Sequence, residues 1–196
     1  MAESGNMKLP AYIRGPRVMA PAARLLWLDE MATPVGRLIA GVCESGVALL
    51  HFAGSERAVR HLARLSSCFD MVHDPSHPRL CQLRRDLTDW FGGHRLRLDM
   101  PCVTPAATPF QRQVWRAVAR IPYGHAISYR ELAARIGRPT AVRAVAAANA
   151  SNPVVILIPC HRVIAADGSP GGYAGGVEAK RRLLELERRH LARRRA

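Results

Sequence analysis

A cysteine and a histidine stand side by side in Pro159-Cys160-His161-Arg162-Val163, directly after the apolar run 154–158. A thiol of ordinary pKa, about 8.5, is mostly protonated at neutral pH. A neighbouring His, Arg or helix N-terminus raises its thiolate fraction and makes it a nucleophile. The apolar run carries the chain through the core, and Pro159 delivers Cys160 at its end. Adjacent side chains often point apart, so these two residues alone leave a purely structural role open. The other cysteines, Cys43, Cys68, Cys81 and Cys102, bring the total to five and include no C-x-x-C. That odd, unpaired pattern argues against a disulfide framework or a cysteine zinc site, and the four read as small buried hydrophobes.

The elements around Cys160 are helical. Thr108-Pro109 reads as an N-cap followed by proline at the first helical position. Phe110, Val114, Ala117, Val118 and Ile121 then recur at helical spacing up to Pro122-Tyr123-Gly124. Ser128-Tyr129-Arg130-Glu131 fits a capping box and opens a helix over 129–136, which Gly137-Arg138-Pro139 ends. Thr140 is placed to cap a second helix over 141–150. Two short helices around a glycine turn form a helix-turn-helix, whose second helix usually enters a DNA groove; an ordinary helical hairpin has the same pattern. The second helix is almost all small: Ala141, Ala144, Ala146, Ala147, Ala148 and Ala150 cannot read base edges by hydrogen bonding. Arg143 is its one long polar side chain, fit for a phosphate, for the base stack or for solvent.

Charge favours the DNA alternative. The chain of 196 residues has net charge +14. Residues 1–105 hold a net +3 and residues 106–196 a net +11, so the positive charge gathers beside the helix pair and suits a polyanion. The first half alternates differently. Strand-like runs at 24–28, 37–42 and 47–52, punctuated by Pro34-Val35-Gly36 and Glu44-Ser45-Gly46, predict an antiparallel meander. Ser55 predicts a helix facing inward through Val59, Leu62 and Leu65. A second helix starts near Pro78, with Leu80, Leu83, Leu87, Trp90 and Phe91 as its stripe and Gly92-Gly93 as its stop; a strand over 95–100 follows. The expected domains are an arm (1–23), an α/β domain (24–100), a linker (101–108), a helical domain (109–190) and a basic tail (191–196). No apolar run is long enough for a membrane span and no signal peptide is read, so a cytoplasmic location is expected.

Pro159-Cys160-His161-Arg162-Val163 closely resembles the active-site motif of the O6-alkylguanine-DNA alkyltransferases, also called methylated-DNA–protein-cysteine methyltransferases. The similarity runs from about residue 108 to 187. It includes residues 110–115, Ile127-Ser128-Tyr129, Arg143-Ala144-Val145, Asn152-Pro153 and Gly172-Tyr173-Ala174-Gly175-Gly176. The first half matches more loosely, at Thr33-Pro34-Val35-Gly36-Arg37-Leu38 and Cys43-Glu44-Ser45-Gly46. The resemblance implies an α+β fold: a ribonuclease-H-like antiparallel sheet with helices, then a helical domain carrying a DNA-binding helix-turn-helix. It implies one irreversible transfer of an alkyl group from O6-alkylguanine in DNA to Cys160 after base flipping.

The roles follow from the same resemblance. Cys160 is the acceptor, His161 its base through a water, and Glu187 the carboxylate that orients the histidine. Asn152 holds the turn between DNA helix and active site. Tyr129 donates to guanine N3 and crowds the phosphate of the flipped nucleotide. Arg143 fills the gap in the stack, and Ala144, Ala146 and Ala147 face the DNA. Val163, Tyr173 and Ala174 line the guanine; many members have serine at the last position, and a main-chain contact survives that change. The expected partner is double-stranded DNA, met in the minor groove with weak sequence preference by a monomer. No cofactor is implied. Of the zinc ligands some relatives carry in the first half, only Cys43 is matched, so no metal is expected. Two other readings are a helix-turn-helix regulator or lesion binder without repair, which ignores Cys160, and a cysteine hydrolase, which ignores the charge.

Overall fold

The computed structural model describes residues 24–195; the arm expected over 1–23 lies outside the described residues. Three antiparallel strands open the fold: β1 (Leu25–Thr33), β2 (Gly36–Cys43) and β3 (Gly46–Phe52). Gly46 joins the last two at φ 140°, and a side chain there would collide with the Pro101 carbonyl. β2 and β3 read as nearly continuous hydrophobic runs because both faces are covered. Leu38, Ala40, Val42, Val47 and Leu50 face α2 and the second half, while Ile39, Cys43, Ala48 and Leu49 face α1.

Helix α1 (Glu56–Leu65) is capped by Ser55, which accepts from the Ala58 amide. It buries Ala58, Leu62 and Leu65; Val59, expected inside, is half exposed. The chain then forms β4 (Asp70–His73), which pairs in parallel with β1 and gives the order β3-β2-β1-β4. The sheet is therefore mixed rather than antiparallel throughout. α1 supplies the crossover that a parallel neighbour requires. Helix α2 (Pro78–Gly92) buries Leu80, Leu83, Leu87 and Trp90 and stops where Gly93 turns left-handed at φ 77°, while Phe91 stays half-buried.

No strand forms over 95–100. The alternation is present, with Leu96, Leu98 and Met100 packed half-buried on the core, but the segment finds no ladder. The outer edge of β3 is taken elsewhere: Val47 bridges Cys102 and Leu50 bridges Val154. The Leu50 amide donates to Pro153 O at 3.0 Å and the Val155 amide to Leu50 O at 2.8 Å. The run that leads to Cys160 is thus docked on the sheet edge.

The second half contains α3 (Pro109–Ala119), β5 (Ile127–Ser128), α4 (Tyr129–Arg135), α5 (Val142–Ala150), a short 3-10 turn (Cys160–Arg162), β6 (Val163–Ile164) and α6 (Gly176–Arg195). Thr108 and Gln111 make a full capping box on α3. Ser128 caps α4 through the Glu131 amide. Thr140 does not cap α5; Ala141 holds that position without a side-chain bond. The residues expected as a basic tail continue α6 to Arg195. One core cluster runs through both halves, from Leu38 and Trp90 to Val114, Val154, Cys160 and Leu183. No described helix is long and apolar enough to cross a membrane.

Candidate active site

Cys160 is buried at the first position of the 3-10 turn, and His161 and Arg162 follow it into the interior. Residues 152–158 set its position. Asn152 Nδ2 donates to Ile158 O at 2.8 Å, and Asn152 Oδ1 accepts from the Val154 amide at 2.9 Å, closing this segment on itself. Ile156 within it is held at φ 73°, a strained conformation for a β-branched residue. Asn149, near the end of α5, donates through Nδ2 to Cys160 O at 3.2 Å. The second helix of the pair therefore holds the cysteine's backbone directly.

The histidine and the glutamate meet. His161 Nε2 lies 2.8 Å from Glu187 Oε1, and both side chains are fully buried. Glu187 also accepts from Arg162 Nε at 3.0 Å, from Arg162 Nη2 at 2.8 Å and from the Gly124 amide at 2.8 Å. Burial pushes the Glu187 carboxyl up, but His161 and Arg162 outweigh it and hold it at about 2. It is an anion at neutral pH, so Nε2 of His161 carries the proton. Nδ1 of His161 has no hydrogen-bond partner among the described residues and is left as the basic nitrogen. Burial lowers the His161 pKa and Glu187 opposes it; burial raises Cys160, with Asn152, Lys180 and Arg57 opposing. The resting pair is thus a thiol and a neutral imidazole.

Around this centre, Tyr129 is half-buried at the start of α4, and burial raises its hydroxyl above the usual range, which keeps it a proton donor. Lys180 is fully buried, donates to Val163 O at 2.6 Å and to Pro170 O, and stands 5.9 Å from the Tyr129 ring centre. Burial draws its ammonium down to about 8. The Val163 amide bonds Cys160 O and its carbonyl accepts from Lys180, so both main-chain groups of Val163 have partners. Tyr173 lies 6.4 Å from the His161 ring and meets Phe52 edge-on at 5.5 Å; Ala174 beside it is half-buried. On α5, Arg143, Ala144 and Ala147 are exposed together and Ala146 is half-buried at the margin of that face.

The expected residues thus fall into a buried chemical group (Cys160, His161, Glu187, Asn152), a half-buried rim (Tyr129, Tyr173, Ala174) and an outer face on α5. Sequence reasoning gave no role to Arg162, Lys180, Asn149 or Phe52. Lys180 carried a faint signal as one of only two lysines. A cleft of about 420 Å3 lined by Trp90, Met100, Arg112, Trp115 and Ile158 does not include Cys160 or His161 and is not this site. Among the described residues no group of three or more His, Cys, Asp or Glu side chains converges as a metal site.

The model of the family "6-O-methylguanine DNA methyltransferase, DNA binding domain" matches residues 109–189. A methylated-DNA–protein-cysteine methyltransferase from Methanosarcina barkeri is 38% identical over 156 residues, covering 76% of this chain and 97% of its own. One from Mycolicibacterium paratuberculosis is 40% identical over 75% of this chain and 90% of its own. The crystal structure of Mycobacterium tuberculosis OGT in complex with DNA superposes with a TM-score of 0.72 at 34% identity, covering 85% of this chain and 94% of that one. With the cysteine, the helix pair and 38% identity over nearly the whole of one relative, this chain belongs to the methylated-DNA–protein-cysteine methyltransferase family.

Proposed function

We propose that this chain repairs O6-alkylguanine in duplex DNA by moving the alkyl group onto the sulfur of Cys160, once per molecule. The observation that carries the residue assignment is the continuous bonding from α5 through Asn149 to Cys160, and from His161 to Glu187. The exposed face of α5 offers Arg143, Ala144 and Ala147, smooth enough to lie in a minor groove without reading sequence. The target oxygen is unreachable inside a duplex, so the nucleotide must swing out past Arg143 toward Tyr129 and Tyr173. Residues 24–100 and 109–190 act as one monomeric unit joined by 101–108, and the genome is the site of action.

The chemistry balances on these residues. Nδ1 of His161 takes the Cys160 proton through a water, and Glu187 stabilises the imidazolium that results. The sulfur attacks the alkyl carbon, an S–C bond forms, and the O6–C bond gives its electron pair to the departing guanine. Tyr129 donates a proton to N3 as that charge develops; the proton gained by His161 matches the one Tyr129 gives up. The thioether is inert, so the protein stops there.

Intact-protein mass after incubation with excess O6-methylguanine duplex should rise by one methyl group per chain, mapped to Cys160. Multiple turnover, or a label on Cys43, Cys68, Cys81 or Cys102, would contradict the assignment. Cys160→Ala should lose transfer and keep DNA binding, because the basic outer face is unchanged. That binding should weaken steeply with salt, each phosphate contact adding about −0.9 to the log–log slope on duplex DNA. A flat salt response would count against binding through phosphate contacts, and strong preference for one undamaged sequence would favour a regulator.

A further inference from the structure

The first half of the chain enters the site at one corner, between β3 and α1. Phe52, the last residue of β3, fills the space that a side chain on Gly175 would need. In the first turn of α1, Arg57 Nη1 donates to the carbonyl of Ala150 at 3.0 Å. Ala150 is the last residue of α5. The final carbonyls of a helix have no partner within it, and a cation there also meets the negative end of the helix dipole. α5 has no glycine at its C-cap and no basic residue in its last turn. Ser151 closes part of its end, through its amide and through its hydroxyl on Ala148 O at 2.9 Å; from outside, Trp115 Nε1 donates to Ala148 O at 2.8 Å and Arg57 to Ala150 O. Asn149, between those two carbonyls, holds Cys160 O. The helix end that Arg57 grips is therefore the end that carries the nucleophile's backbone.

Arg57 is half-buried and forms no ion pair with a carboxylate among the described residues. Arg84, Arg95 and Arg162, by contrast, are paired with Asp29, Asp86 and Glu187. Its uncompensated charge also acts on Cys160 and Tyr129, favouring their ionised forms.

We propose that Arg57 is a positioning residue for alkyl transfer: from the N-terminal half it fixes the C-terminal end of the DNA helix, so that α5 in the groove and Cys160 beneath it keep one relation. This rests on the repair reading above. Arg57 is not on the exposed face of α5, so losing it should misplace the sulfur without removing DNA contacts. Small misplacements cost up to about 100-fold in rate.

The test is single-turnover transfer from O6-methylguanine duplex by wild type, Arg57→Ala and Arg57→Lys, with melting curves of each. Arg57→Ala should lower the saturating rate roughly 10–100-fold while the half-saturating duplex concentration moves less than about threefold. Arg57→Lys, which keeps a cation and one donor for Ala150 O, should recover most of the rate. A saturating rate within about twofold of wild type would overturn the proposal. So would a loss confined to half-saturation, or a lysine variant no faster than alanine with both melting early. A wild type that accepts no alkyl group is a separate result and would remove the repair assignment itself.

Discussion

Glu187→Gln should remove nearly all of the transfer rate and several kcal/mol of stability together. The carboxylate is fully buried and accepts from His161, from two nitrogens of Arg162 and from the Gly124 amide. Glutamine offers one acceptor oxygen and two donor hydrogens, so its amide nitrogen must face at least one of those donors. The Arg162 guanidinium, almost fully buried, loses its only counter-charge among the described residues. Breaking a buried pair from one side typically costs about 3–5 kcal/mol. In a chain of this length each kcal/mol lowers the melting temperature by roughly 2–4 °C, provided unfolding is near two-state. The rate falls for a second reason. Without the carboxylate the imidazole proton is free to sit on Nδ1, the nitrogen that must receive the Cys160 proton. The equivalent amide substitution in a serine-protease triad costs about 10,000-fold, and a loss approaching that scale is expected here.

The pH dependence gives an independent check. The Glu187 carboxyl is held at about 2, below its ordinary 4.5. A depressed carboxylate contributes stability that is fully present above the unfolded value and is lost as pH falls through the folded one. The melting gap between wild type and Glu187→Gln should therefore be widest at neutral pH and should narrow between about 4.5 and 2. A gap that stays constant across that window, or a variant as fast as wild type, would show that Glu187 is not the charge on which this site is built.

Local signals were legible where one residue decides one geometry. Thr108-Pro109 opened α3, Ser128 opened α4, and Gly93 ended α2 because each acts within its own turn of helix. β4 was missed because four residues, Asp70 and His73 among them, are too short and too polar to show a period; only the free edge of β1 makes them a strand. Residues 95–100 failed in the opposite sense: their alternation was real, but a strand needs a free neighbour and β3 had spent that edge on Cys102 and Val154. The site divided the same way. Cys160 and His161 are adjacent in sequence, yet only the family resemblance singled out Glu187, 26 residues from its histidine. Arg162, Lys180 and Arg57 act across 25, 17 and 93 residues on partners that no spacing rule links to them.

Arg143→Ala should separate holding DNA open from transferring the alkyl group. Arg143 is exposed and is the second residue of α5. A cation in the first turn of a helix opposes the helix dipole, so this one is not there to stabilise α5. Its side chain shares an exposed outer face with Ala144 and Ala147. Flipping a nucleotide costs a few kcal/mol of lost stacking and pairing. If Arg143 offsets about 2–3 kcal/mol of that by filling the gap, its removal slows duplex repair roughly 30–150-fold. Free O6-benzylguanine has no stack to leave, so its transfer rate should change less than about twofold. Tyr129→Phe provides the contrast: it removes the proton donor to N3 and should slow both substrates, because the free base needs that proton as much as the flipped one. The measurement is the pseudo-first-order rate for each variant on duplex and on free base. Equal losses for Arg143→Ala on the two substrates would mean that the arginine supports the pocket and not the stack. A Tyr129→Phe defect confined to duplex would mean that the tyrosine meets the phosphate alone.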